Sequence, residues 1–120
     1  MSSLGLAHVG DAVFELMVRT WICTQGAETA KRLHNDTVSY VSAKSQAAAA
    51  ERLVPELDEE ELLVFKRGRN AHVNTMPRAS TYEEYHTATG VETLFGYLYL
   101  SGKTDRLDEL FECIVQTHSS

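Results

Sequence analysis

A chain of 120 residues is long enough for one hydrophobic core and too short for two, so a single domain over 1–120 is expected. An apolar share of 43% with no Pro-, Ser- or Gln-rich tract excludes a disordered chain, and a formal net charge of −6 excludes a generic polyanion binder, because such affinity comes from Lys and Arg displacing counterions. Two cysteines, Cys23 and Cys113, exclude a disulfide scaffold and fit a reducing compartment.

No window approaches the roughly 18 continuous apolar residues of a membrane span, and no basic segment leads into an apolar one at the N-terminus. The expectation is a cytoplasmic protein with no membrane partner. Charge is unevenly distributed: acids crowd into 56–61 and 105–112, while Lys66, Arg67 and Arg69 form a compact basic group.

Leu4 to Thr24 is apolar nearly all round, with Val9, Val13, Leu16, Thr20 and Cys23 on one stripe and Phe14, Val18 and Ile22 on another. Such a helix is expected at the buried centre of the fold, and Gln25-Gly26 ends it. Glu28 to Leu33 makes a short helix, His34-Asn35-Asp36 a connector, and Thr37 to Leu53 an alanine-rich helix capped by Asp36 or Thr37 and stopped by Pro55. Asp58 and Glu61 form a capping box for the next helix, whose apolar face is Leu62, Leu63 and Phe65 and which ends in Lys66-Arg67-Gly68-Arg69-Asn70-Ala71.

Residues 72–80, containing Asn74, Pro77 and Arg78, read as a loop. Tyr82 to Leu100 is helical after a break near Ser80 or in Glu83-Glu84, with a stripe of Val91, Leu94, Phe95, Leu98 and Tyr99. Gly96, four residues after Glu92, admits a neighbouring backbone beside it. Ser101-Gly102 closes the helix, and Thr104 caps the last one, with stripe Leu107, Leu110, Phe111, Ile114 and Val115. No useful strand-like alternation occurs, so the fold class is all-α.

Three acids lie in apolar helices: Asp11, Glu15 and Glu92. Asp11 and Glu15 are one turn apart on one face, and a carboxylate among apolar neighbours is costly unless paired. Each alone reads as a paired core acid or an acid at a solvated edge. Three in two core helices suggest facing carboxylates in a pocket suited to Mg²⁺, which takes one or two carboxylates, retained waters and substrate phosphate.

No nucleophile elbow, phosphate-cradling loop or His-Glu-x-x-His pair is present, and the scattered histidines do not suggest zinc. Lys66, Arg67, Arg69, Asn70, His72 and Arg78 can grip a phosphate backbone; compensation of a helix end explains the basic group equally well. Lys44 is either a surface residue or a phosphate contact.

Leu6-Ala7-His8-Val9-Gly10-Asp11-Ala12-Val13-Phe14-Glu15-Leu16 resembles the signature helix of the ribonuclease III catalytic domain, and Glu92-Thr93-Leu94-Phe95-Gly96-Tyr97-Leu98-Tyr99-Leu100 resembles that family's second acidic motif. Val38 to Ala47 and Arg67-Gly68-Arg69-Asn70-Ala71 look like the mini-ribonuclease III subgroup, whose members lack an appended double-stranded RNA-binding domain. The resemblance spans essentially the whole chain. It implies a homodimeric endoribonuclease that cuts double-stranded RNA with Mg²⁺, leaving 5′-phosphate and 3′-hydroxyl ends. The implied substrate is precursor 23S (large-subunit) ribosomal RNA, with a ribosomal protein as a candidate helper.

By motif position the resemblance makes Asp11 and Glu92 the catalytic metal ligands and gives Glu15 a supporting place behind them. The larger family carries acids where this chain has Ala7 and Thr89, which leaves the number of metals open. A two-fold dimer suits a duplex because its two equal sites meet strands of opposite polarity. The signature helix, with Phe14 and Trp21, is its expected surface. Duplex RNA is read by shape, phosphates and 2′-hydroxyls, for which a small basic rim suffices. The alternatives are a non-catalytic RNA-binding scaffold of the same fold, against which both acids speak, and a protein-interaction module, which leaves them unexplained.

Overall fold

The computed structural model describes residues 1–26, 29–71 and 81–116. Helix α1 spans Ser3–Thr24; the Ser2 hydroxyl accepts the Gly5 N–H at 3.0 Å, satisfying one of the donors a helix start leaves open. It ends at Gln25 and Gly26, the latter with a left-handed φ of 92°.

Helix α2 spans Ala30–Val41, so the expected connector at His34-Asn35-Asp36 lies inside a helix. Thr29 caps it by accepting the Arg32 N–H at 3.2 Å, and Arg32 meets Asp36 at 3.8 Å one turn later. These polar residues are accommodated along the helix without breaking it. The break falls instead at Ser42, which is extended (φ −61°, ψ 152°) and whose hydroxyl accepts the Ser45 N–H at 3.2 Å to start α3, Ala43–Leu53.

A single 3₁₀ turn, Val54–Glu56, holds Pro55. Helix α4, Glu59–Arg69, opens on the expected capping box, in which Asp58 and Glu61 exchange bonds of 2.8 and 3.0 Å. Its buried face is Glu61, Val64, Phe65 and Gly68 rather than Leu62, Leu63 and Phe65; Leu63 is exposed and Leu62 packs at the edge of the core. That register holds because Arg106 meets the Glu61 carboxylate with two bonds of 2.8 Å and also reaches the Glu56 carbonyl at 2.7 Å. The bidentate guanidinium holds the Glu61 carboxyl below its ordinary range.

Helix α5, Tyr82–Leu100, starts on a second capping box, Thr81 with Glu84. The chain therefore enters the helix before Glu83-Glu84. Helix α6 spans Thr104–Gln116, and the Leu107 N–H bonds the Lys103 carbonyl at 3.1 Å, so Lys103 holds the position expected of Thr104. There is no strand among the described residues, and the all-α expectation holds. Among them, too, no helix is long and apolar enough to cross a membrane.

The central helix is α5, not α1. It packs against α1, α3, α4 and α6 and buries Val91, Leu94, Phe95 and Leu98, while Tyr99 is exposed. Helix α1 buries one stripe, Ala7, Gly10, Phe14, Val18 and Ile22. Its other face, with His8, Asp11, Ala12, Leu16 and Thr20, is exposed. Phe14 is accordingly a core residue, 1% exposed and edge-on to Phe95 and Phe111 at 5.2 and 6.2 Å. It is not a surface residue, and Trp21 is half-buried against Tyr40. The α6 stripe, Leu107 to Val115, is buried as its spacing predicts.

Candidate active site

Two glycines set the geometry of the site. A Cβ on Gly10 would overlap the Glu92 carbonyl oxygen, and one on Gly96 would overlap the Leu6 carbonyl oxygen. The backbones of α1 and α5 therefore touch where they cross, closer than any side chain allows. Asp11 follows Gly10, and Glu92 stands one turn before Gly96. The crossing brings the Asp11 and Glu92 carboxyls within hydrogen-bonding reach.

The pair is asymmetric. Asp11 is exposed, whereas Glu92 is half-buried. Burial first, then the Asp11 charge and the bond to it, push the Glu92 carboxyl up to about 8. One N–H opposes this shift: Gln46 Nε2 donates to Glu92 Oε2 at 3.4 Å. Neither carboxylate has an ion pair with Lys, Arg or His among the described residues. Two facing carboxylates without a counter-charge are an electrostatic deficit that a divalent cation offsets, and two is a carboxylate count Mg²⁺ uses. The donor set therefore fits the ion.

The positions where the larger family carries acids add nothing. Ala7 is buried, and the buried Thr89 hydroxyl donates to the Tyr85 carbonyl at 2.9 Å. Among the described residues no group of three or more His, Cys, Asp or Glu side chains gathers to hold a metal. Glu15 has a partner of its own, accepting from Arg19 at 2.9 and 3.0 Å along the helix.

The basic residues separate into two sets. Lys66 and Arg67 are exposed in the last turn of α4. Arg69 lies over the Phe65 ring at 5.8 Å, and with Asn70 and Lys44 it lines an open cavity between α3, α4 and the start of α5. The buried His86 lines it too, donating through Nδ1 to the Arg69 carbonyl at 3.1 Å and thereby satisfying an open acceptor at the end of α4. His72 and Arg78 lie outside the described residues. Gln46 is not among the residues expected at the site. Its signal is periodicity, since Gln46, Ala49, Ala50 and Leu53 fall on one face of α3 and that face is buried.

The Ribonuclease III domain family matches residues 4–103, and the chain belongs to it. That family is one of endoribonucleases, and by this membership the chain is an endoribonuclease.

Within the family its similarity is to the mini-ribonucleases. The chain is 45% identical to the Mini-ribonuclease 3 of a Thermoanaerobacter species, covering 97% of this chain and 82% of that protein. It is 39% identical to the Mini-ribonuclease 3 of Clostridium tetani, covering 98% and 79%. A crystal structure of a Fusobacterium nucleatum protein superposes with a TM-score of 0.88 at 32% identity, covering 97% of this chain and 89% of that one.

Proposed function

We propose that the chain, as one catalytic domain over 1–120, is a Mg²⁺-dependent endoribonuclease that cleaves double-stranded RNA as a homodimer. We further assign it to maturation of precursor 23S ribosomal RNA in the cytoplasm, with a ribosomal protein as a candidate helper. The observation that carries the reading is the pairing of Asp11 with Glu92 at the α1–α5 crossing, without a cationic neighbour among the described residues.

Asp11 and Glu92 are the residues that would hold the metal. A Mg²⁺ ion held by them would supply hydroxide near neutral pH and charge stabilisation for phosphodiester hydrolysis, the chemistry that leaves 5′-phosphate and 3′-hydroxyl ends. The half-buried Glu92 fixes one side of the site, while the exposed Asp11 leaves it open to a backbone phosphate. Glu15, one turn along α1 and paired with Arg19, is assigned a supporting place behind them.

Lys44, Lys66, Arg67, Arg69, Asn70, His72 and Arg78 are assigned to the RNA backbone. Such interactions position the duplex without reading sequence. The exposed apolar side chains Leu4 and Leu16 on α1, the latter 66% exposed, support a two-fold partner.

The test is incubation of the protein with long duplex RNA, with and without Mg²⁺, and analysis of the ends formed. Cleavage only with the metal, leaving 5′-phosphates, is expected of a protein that sediments as a dimer. Duplex binding without cleavage would favour the non-catalytic scaffold instead.

A further inference from the structure

Gln46 is 2% exposed, and its neighbours on the buried face of α3 are Ala49, Ala50 and Leu53. Its Nε2 donates at 2.9 Å to the Val41 carbonyl and at 3.4 Å to Glu92 Oε2. The Val41 carbonyl can only accept, so the NH₂ group must face it; turned over, the amide would set Oε1 against that carbonyl. Oε1 is buried and has no partner among the described residues.

The acceptor at Val41 exists because α2 ends there. Val41 is its last residue, its carbonyl has no helical N–H to accept, and the extended Ser42 carries the chain directly into α3. A buried amide with one polar atom unpaired is costly. Methionine fills similar volume on the same helix without that cost. What the amide provides, and methionine does not, is a fixed N–H on the Glu92 carboxylate.

We propose that Gln46 is a positioning residue for the cation site: anchored on the Val41 carbonyl, its amide holds the Glu92 carboxylate toward Asp11. The proposal rests on the reading of Asp11 and Glu92 as the metal pair. Hydrogen bonds to ligating carboxylates fix their orientation, and losing one typically costs about 10- to 100-fold in metal affinity or activity. The side-chain amide of Gln46 bonds Val41 and Glu92, and among the described residues no hydrogen bond joins it to Asp11, so it acts through Glu92.

The experiment compares Gln46→Met with the unmodified 120-residue chain in two measurements. In the first, Mg²⁺ alone is titrated into the RNA-free protein by calorimetry. The expected result is at least about a 10-fold weaker dissociation constant in the variant. In the second, duplex cleavage is followed across a Mg²⁺ series; the half-saturating concentration rises by a similar factor and the rate at saturating Mg²⁺ returns to within about twofold.

An unchanged Mg²⁺ titration overturns the proposal. So does a loss of rate that added Mg²⁺ does not recover, which is the mark of damaged packing. Absence of Mg²⁺ binding by the unmodified chain would overturn the metal pair itself, and is distinguishable from failure at Gln46 alone. If Gln46→Met does not melt cooperatively, Gln46→Asn, which withdraws the amide by one methylene, is measured instead with the same expectations.

Discussion

Glu92→Gln should make the metal-free protein more stable at neutral pH while abolishing its activity. In the metal-free protein the Glu92 carboxyl is pushed up to about 8 by burial and by Asp11, from an ordinary value of 4.5 in the unfolded chain. Between those values the native state holds more protons than the unfolded one, so stability falls as pH rises, by at most about 1.4 kcal/mol per pH unit. Above the native value both states are ionised and the loss levels off.

Glu92 keeps some solvent contact, which screens its charge. Discounted for that, the loss between about pH 5 and about pH 7.5 is roughly 2 kcal/mol, or about 8 °C in Tm for a chain of this size. Glutamine has the same size and cannot ionise, so the variant escapes this loss. The assay is thermal and urea unfolding of both proteins in EDTA at the two pH values and at one protein concentration. The curves should agree near pH 5, diverge by about 2 kcal/mol at pH 7.5, and converge again when Mg²⁺ stabilises only the unmodified protein. Parallel pH profiles would refute the claim that the metal-free fold disfavours the ionised form of Glu92.

Gly96→Ala places a methyl group on the Leu6 carbonyl; because backbone cannot repack, it should cost about 3 kcal/mol or more in urea unfolding and reduce cleavage even where the protein is folded. Glu61→Ala removes the buried one of two carboxylate partners of Arg106, leaving Glu109 at 3.2 Å, and one half of the α4 capping box; it should cost about 3 kcal/mol, the low end for a broken buried pair, because Arg106 keeps that partner and some solvent contact. The native Glu61 carboxyl is held below its ordinary value, so its contribution is complete above the unfolded value and is lost as pH falls through the native one; the variant should lack that part of the acid transition in a pH titration. Arg67→Ala with Arg69→Ala should weaken duplex binding and flatten its salt dependence, by about one unit of log–log slope for each phosphate interaction removed, while an unchanged salt series would return these residues to compensation of the α4 end.

Much of this arrangement is legible in the residues. The apolar runs around Asp11 and Glu92 mark both acids as out of place, and Gly96 announces a close approach that the α1–α5 crossing bears out. The α6 stripe and the Asp58–Glu61 capping box follow directly from spacing. Helix α1 is harder, because a helix apolar on nearly all sides does not say which stripe meets the core. Gly10 decides it: only the face carrying Gly10 can approach α5 so closely, and Phe14 shares that face.

The connector expected at His34-Asn35-Asp36 reflects a real ambiguity, since residues that favour turns also sit comfortably on the solvated side of a helix. The break at Ser42 is hidden by its neighbours, for the run from Thr37 to Leu53 has strong helix formers on its C-terminal side. The Ser42 hydroxyl bond to Ser45 is what turns a break there into a capped start. Gln46 escapes notice for a related reason. An amide in an alanine-rich helix reads as solubilising until the period places it on the inner face.

The most direct test of the Asp11–Glu92 pair is the cleavage rate of Asp11→Asn, Glu92→Gln and the double variant on one duplex RNA at saturating Mg²⁺. Residues that act as a unit lose their effect together. Each single substitution should lower the rate by about 10³-fold or more, and the double variant should be little slower than either. A single variant that retains most of its rate, or a double variant whose loss is the product of the two single losses, would contradict a shared cation site.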